Sequence, residues 1–150
     1  MTTTIAYTDV AGLAGTDLGY TDWVEITQQQ VNTFADATGD HQWIHVDPER
    51  AKDGPFGAPI AHGFLTLSLA VTFWTELLEV EGVTTKVNYG LDKVRFISPV
   101  KVGARVRMNA VVAEVTEIGG GYQLSVDQVI TVEGETKPAV VARGLYRFYA

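Results

Sequence analysis

The sequence predicts an α+β fold in which one long, curved antiparallel β-sheet wraps a central buried α-helix. Three observations carry this. The composition shifts once, near Glu81, from helix-like to strand-like. Just before the shift stands "AHGFLTLSLAVTFWTELLEV", Ala61 to Val80, which is apolar nearly all round. A helix that is apolar on every side is a buried one. After the shift, long strand-like runs are joined by short turns, as antiparallel strands require. One sheet against one helix makes a two-layer domain. At 150 residues, 1–150 reads as a single domain, long enough to bury a core without staples.

The elements follow in order. Residues 1–21 carry little signal, broken by Gly12, Gly15 and Gly19, and Asp22 to Ile26 reads as a short strand. Thr27 has the chemistry of an N-cap, with Gln30 at capping-box spacing. Val31, Phe34, Ala35 and Thr38 then recur at helical spacing, and Gly39 stops the helix. Residues 40–59 are loop-like, with a helical turn at Pro48–Lys52. Beyond the apolar helix, Val87–Ile97, Arg105–Ile118, Tyr122–Val132 and Ala139–Tyr149 read as strands. In the second of these, Val106, Met108, Ala110 and Val112 share one face.

The bulk numbers exclude several functions. A net charge of −7 disfavours wrapping nucleic acid or an anionic membrane. With no cysteine there is no disulfide, thiol catalysis or Cys-based zinc site, which suits a cytoplasmic setting. The N-terminus lacks the basic cluster and apolar core of a secretory signal. The uncharged run Gly63–Thr75 is too short to span a bilayer.

The chemistry concentrates in "GDHQWIHVD", Gly39 to Asp47. Asp40 and His45 place a carboxylate and an imidazole on one short loop, where both can converge on a water. Imidazole gives or takes a proton near neutral pH. A second piece is "IAHGF", where Gly63 opens the apolar helix. The first N–H groups of a helix lack internal acceptors and carry partial positive charge, so this end suits a developing oxyanion. The bland alternative makes Asp40 a turn cap and His62 a satisfied core histidine. His41 and His45 have the four-residue spacing of a helical zinc pair. Gln42 replaces the glutamate of that motif, however, and Gly39 and Pro48 interrupt the helix, so no metal is expected. His41 and Asp47 read as loop polars, with Asp47 a turn former ahead of Pro48. Ser68 lacks a nucleophile elbow and is expected to bond back to a helix carbonyl.

"FADATGDHQWIHVDPERA" followed by "GPFGAPIAHGFLTLS" resembles the MaoC-like dehydratases, the R-specific enoyl-CoA hydratases of the hot-dog fold, and in particular their NodN-like branch. The resemblance is strong over Thr27–Val100 and looser beyond. It implies that Asp40 and His45 are the catalytic pair. It also implies that the Gly63 N–H polarises the thioester carbonyl and that His62 is structural or lies beside the substrate. The sequence departs from the family at Gln42-Trp43, where many members have Asn-Pro, so Trp43 bears on pocket size. A serine that some members carry in the central helix falls, by count, on Val71. The implied reaction is reversible syn hydration of a trans-2-enoyl-CoA to the (R)-3-hydroxyacyl-CoA. Coenzyme A is then part of the substrate, no separate cofactor is required, and the implied assembly is a homodimer. Lys86, Lys93, Arg95 and Lys101 are candidate contacts for the phosphates of coenzyme A. A hot-dog thioesterase and a non-catalytic acyl-CoA-binding subunit are the alternatives.

Overall fold

A computed structural model describes residues 1–150. The chain runs β1 (Thr3–Ala6), a 3₁₀ turn (Tyr7–Leu13), β2 (Asp17–Tyr20), β3 (Val24–Glu25), α1 (Gln28–Thr38), α2 (Trp43–Val46), α3 (Pro48–Ala51), α4 (Gly63–Leu77), β4 (Leu78–Glu81), β5 (Thr85–Phe96), β6 (Arg105–Ile118), β7 (Gly121–Val132) and β8 (Pro138–Tyr149). The main sheet has the order β2-β6-β7-β8-β5, and β3 also pairs with β6. The β6–β7, β7–β8 and β5–β8 pairings are all antiparallel.

The four predicted long strands are present to within about two residues at their ends. On β6, Val106, Met108, Ala110 and Val112 are fully buried, as their alternation requires. Leu124, Val126, Ile130 and Val132 of β7 face the same way. Against this layer α4 packs Leu65, Ala70, Phe73, Trp74 and Leu77.

The local signals at α1 hold. The Thr27 hydroxyl accepts from the Gln30 N–H at 3.1 Å. Gly39 takes φ +85° and donates to the Ala35 carbonyl at 2.8 Å, closing the helix. Asp47 caps α3 by accepting from the Arg50 N–H at 3.1 Å.

Three expectations need correction. The strand predicted at Asp22–Ile26 pairs only over Val24–Glu25. The weak first twenty-one residues are structured: β1 runs parallel to β4, and the 3₁₀ turn buries Val10 and Leu13. That order comes from long-range packing, which no local pattern reports. Finally, α4 is not enclosed on every side. Phe64 is 70% exposed and Val71 39%. The sheet curls over one side of the helix and stops at β5, an edge strand that carries exposed Val87, Tyr89 and Leu91. No helix of the chain is long and apolar enough to cross a membrane.

Candidate active site

The site is assembled where the loop after α1 meets the start of α4. His45 sits on α2, a single helical turn that the sequence signals did not reveal, and is buried. Its Nδ1–H donates to the Ile60 carbonyl at 2.7 Å. A carbonyl only accepts, so the neutral ring carries its proton on Nδ1 and its lone pair on Nε2. The same segment is tied a second time, because the Ile60 N–H donates to the Ile44 carbonyl at 2.9 Å. From the other side, the Gln28 amide donates to the His45 carbonyl at 2.8 Å. Thus α1 and the chain entering α4 clamp α2, and the imidazole is held in one orientation.

Asp40 follows the αL glycine that ends α1 and is exposed. Its carboxylate accepts weakly from the Gln42 N–H, at 3.4 Å. Its main-chain carbonyl accepts from His62 Nε2–H at 2.9 Å. His62 caps the start of α4 and is 3% exposed. Its ring stacks on His45 with centroids 3.8 Å apart, and Phe34 packs against it, tilted, at 4.8 Å. The sequence marked His62 as structural, and these contacts give that role content: it joins the Asp40 loop to the His45 ring.

The side chains of Asp40, His45 and His62 lie within 4.8 Å of one another, measured between potential ligand atoms. A metal needs lone pairs that converge on one point. Here the two imidazoles lie face to face at only 22°, and each has one nitrogen committed to a carbonyl. Their remaining lone pairs therefore lie in nearly parallel planes rather than converging on one point.

Gly63 is the first residue of α4, so its N–H has no acceptor inside the helix. Gly63 and His45 line the same hollow of about 330 Å³, with Thr66, Phe96, Pro99 and Val140 among its walls. A Cβ at position 63 would stand 3.1 Å from the Phe96 ring, so glycine lets that ring close over the helix end. The structure therefore joins Asp40 to His45 by proximity and His45 to Gly63 by a shared hollow. Asp40 stands beside the hollow rather than in its wall. A larger, open groove of about 490 Å³ runs along α1 and contains no acid–base pair.

The remaining predicted residues lie elsewhere. Trp43 sits outside the hollow, with the Arg50 guanidinium 4.3 Å above its ring and Gly54 packed against it. Lys93 lines a separate hollow with Asp127 and Arg143, and Arg95 donates to the neighbouring Val94 carbonyl. Lys86 lies 3.4 Å from Glu79. His41 is exposed and donates from Nε2 to the Asp36 carboxylate at 2.9 Å, and this hydrogen bond raises its pKa. Ser68 donates to the Leu65 carbonyl at 2.7 Å, the predicted back-bond.

Comparisons with known proteins place the chain in a family and support its fold. The chain is 53% identical over 143 residues to 3-hydroxyacyl-thioester dehydratase Z of Mycobacterium tuberculosis, covering 95% of each chain. It is 44% identical over 142 residues to nodulation protein N of Rhizobium leguminosarum, covering 92% of this chain and 88% of that one. Among solved structures, the (R)-hydratase from A. caviae involved in PHA biosynthesis superposes with a TM-score of 0.74. It has 24% sequence identity and covers 89% of this chain and 94% of its own, and so supports the hot-dog fold. The family described as MaoC like domain matches residues 9–134, and the chain belongs to that family.

Proposed function

We propose that this chain is a 3-hydroxyacyl-thioester dehydratase. In the reverse direction it adds water across a trans-2-enoyl-CoA to give the (R)-3-hydroxyacyl product. The observation that carries this reading is that the Asp40 carboxylate lies close to the His45 imidazole, and that His45 shares one hollow with Gly63, the first residue of α4. The dehydratase relative covers nearly the whole chain and carries a name for the same reaction class.

The chemistry follows from the donors present. The thioester carbonyl accepts from the Gly63 N–H, where the helix dipole and the free amide stabilise negative charge. Water is held between Asp40 and His45. As its oxygen bonds to C3, the C2–C3 double bond opens and charge moves onto the carbonyl oxygen. The pair takes a proton from the water and returns one to C2 on the same face. Dehydration runs through the same steps backwards.

The open side of α4 and the edge of β5 support a homodimer. Phe64, Val71, Val87, Tyr89 and Leu91 make an apolar face beside an unpaired strand edge, a combination that a second copy would cover.

The test is incubation with crotonyl-CoA, following the loss of the enoyl chromophore, the chirality of the product and free thiol. The expected result is (R)-3-hydroxybutyryl-CoA without thiol release. Thiol release without hydration would replace this reading with a thioesterase.

A further inference from the structure

A second hollow, of about 210 Å³, lies further along α4. Phe64, Val71 and Leu91 wall it, Ser68 lines it, and Gln128 and Tyr146 come from the sheet beneath. Gln128 is out of place by its surroundings. It occupies the inward row of β7 between Val126 and Ile130 and is 2% exposed. Its amide N–H donates to the Tyr146 hydroxyl at 2.7 Å, while its carbonyl oxygen has no partner. Leaving a buried polar atom unpaired costs about 1–3 kcal/mol, so such a group calls for a reason.

The fold makes room for this polar pair. A Cβ on Gly144 would stand 2.9 Å from the Gln128 carbonyl oxygen and 3.0 Å from the Tyr146 ring, so any side chain there would displace them. Trp74 stacks on Tyr146 at 5.0 Å and holds the phenol in place. Burial raises the Tyr146 pKa, so the phenol keeps its proton.

The two hollows share an aromatic wall. Phe96, which lines the first, meets Phe64, which lines the second, edge to face at 5.8 Å. Ser68 lies five residues beyond Gly63, roughly 7.5 Å along the helix at 1.5 Å per residue. A ligand held at the Gly63 N–H would have to pass this pair to reach the second hollow.

We infer that Gln128 and Tyr146 are specificity-determining residues that favour acyl chains carrying a hydroxyl group toward the far end. A hydroxyl both donates and accepts. It therefore complements an amide–phenol pair in either orientation of the amide, whereas a methyl end leaves the pair unanswered. This rests on the acyl-thioester reading above and extends it to the class of chain.

The test pairs saturated acyl-CoA thioesters of increasing length with the same chains bearing a terminal hydroxyl, and measures Kd by calorimetry. Crotonyl-CoA hydration is measured separately. At one chain length, the hydroxylated member should bind roughly three- to tenfold more tightly, the range of a neutral hydrogen bond. Gln128→Leu and Tyr146→Phe should each reduce that preference while leaving crotonyl-CoA hydration intact. The Tyr146→Phe arm and the wild-type series stand if Gln128→Leu does not fold. Equal or weaker binding of the hydroxylated chains at every length overturns the inference, as does a preference that survives both substitutions. Loss of crotonyl-CoA hydration in the wild type would count against the dehydratase reading alone, because the binding comparison needs no turnover.

Discussion

Phe73 and Phe64 stand on the same helix, yet one is 2% exposed and the other 70%. Both belong to a segment that is apolar nearly all round. Phe73 faces the chain's own sheet, among Leu65, Trp74 and Leu77. Phe64 faces outward, against Phe96 and the unpaired β5 edge. Apolar residues on every side of this helix therefore divide into a face that the chain's own sheet covers and a face that it leaves open. Gly63 opens the helix where the two sides meet, and the proposed chemistry sits at that junction.

The largest effect is expected at the junction. Asp40→Asn and His45→Gln should each lower the crotonyl-CoA hydration rate by roughly 10²–10⁴-fold. Circular dichroism should show the fold retained in both. A variant that keeps full activity would remove its residue from the mechanism.

The next test contrasts the two sides directly. Phe73→Ala should destabilise by about 3–5 kcal/mol in urea unfolding, because it removes a large ring from a sealed core. Phe64→Ala should cost under about 1 kcal/mol per chain at concentrations where the protein is monomeric, since its ring is exposed there. Equal losses would erase the distinction between the sides.

The outward side is sharpened by Tyr89→Lys, which places a charge on the exposed edge strand. Analytical ultracentrifugation should show a wild-type dimer and a variant whose self-association is weaker by roughly 30-fold, about 2 kcal/mol at a central aromatic. Unchanged association would move the interface elsewhere.

The smallest effect is expected on β2. Asp17 accepts from the Gly19 N–H and the Asn109 amide, which lowers its pKa. A lowered carboxyl pKa stabilises the fold above the unfolded-state value, and that contribution is lost as pH falls through the folded-state value. The stability gap between wild type and Asp17→Asn, well under about 1 kcal/mol at an exposed site, should therefore shrink on acidification. A gap that widens at low pH would contradict this.

The sequence revealed these regions unevenly. Alternation on β6 and β7 specified the sheet, because a period of two fixes which residues enter the core. Thr27 and Gly39 bounded α1, because capping is local chemistry. Asp40, His45 and Gly63 stood out only as candidates, because Asp, Gly and His are common in loops for structural reasons, and the family resemblance is what implied their roles. The four-residue turn that carries His45 was not legible, because its form depends on Ile60 and Gln28, distant in sequence. The parallel pairing of β1 with β4 was hidden for the same reason. Gln128 left a signal that went unread: it shares the parity of Leu124 and Val126, so it points inward. Trp43 came from the departure from the family pattern, and Lys93 and Arg95 from position alone; none of the three lines the hollow with His45 and Gly63.

The most direct measurement is a crystal structure of His45→Gln with a bound trans-2-enoyl-CoA. The expected result places the thioester oxygen roughly 2.7–3.1 Å from the Gly63 nitrogen, with C3 turned toward Asp40 and the side chain at position 45. A thioester whose carbonyl points away from the start of α4, or whose acyl chain lies along the groove beside α1, would contradict the account.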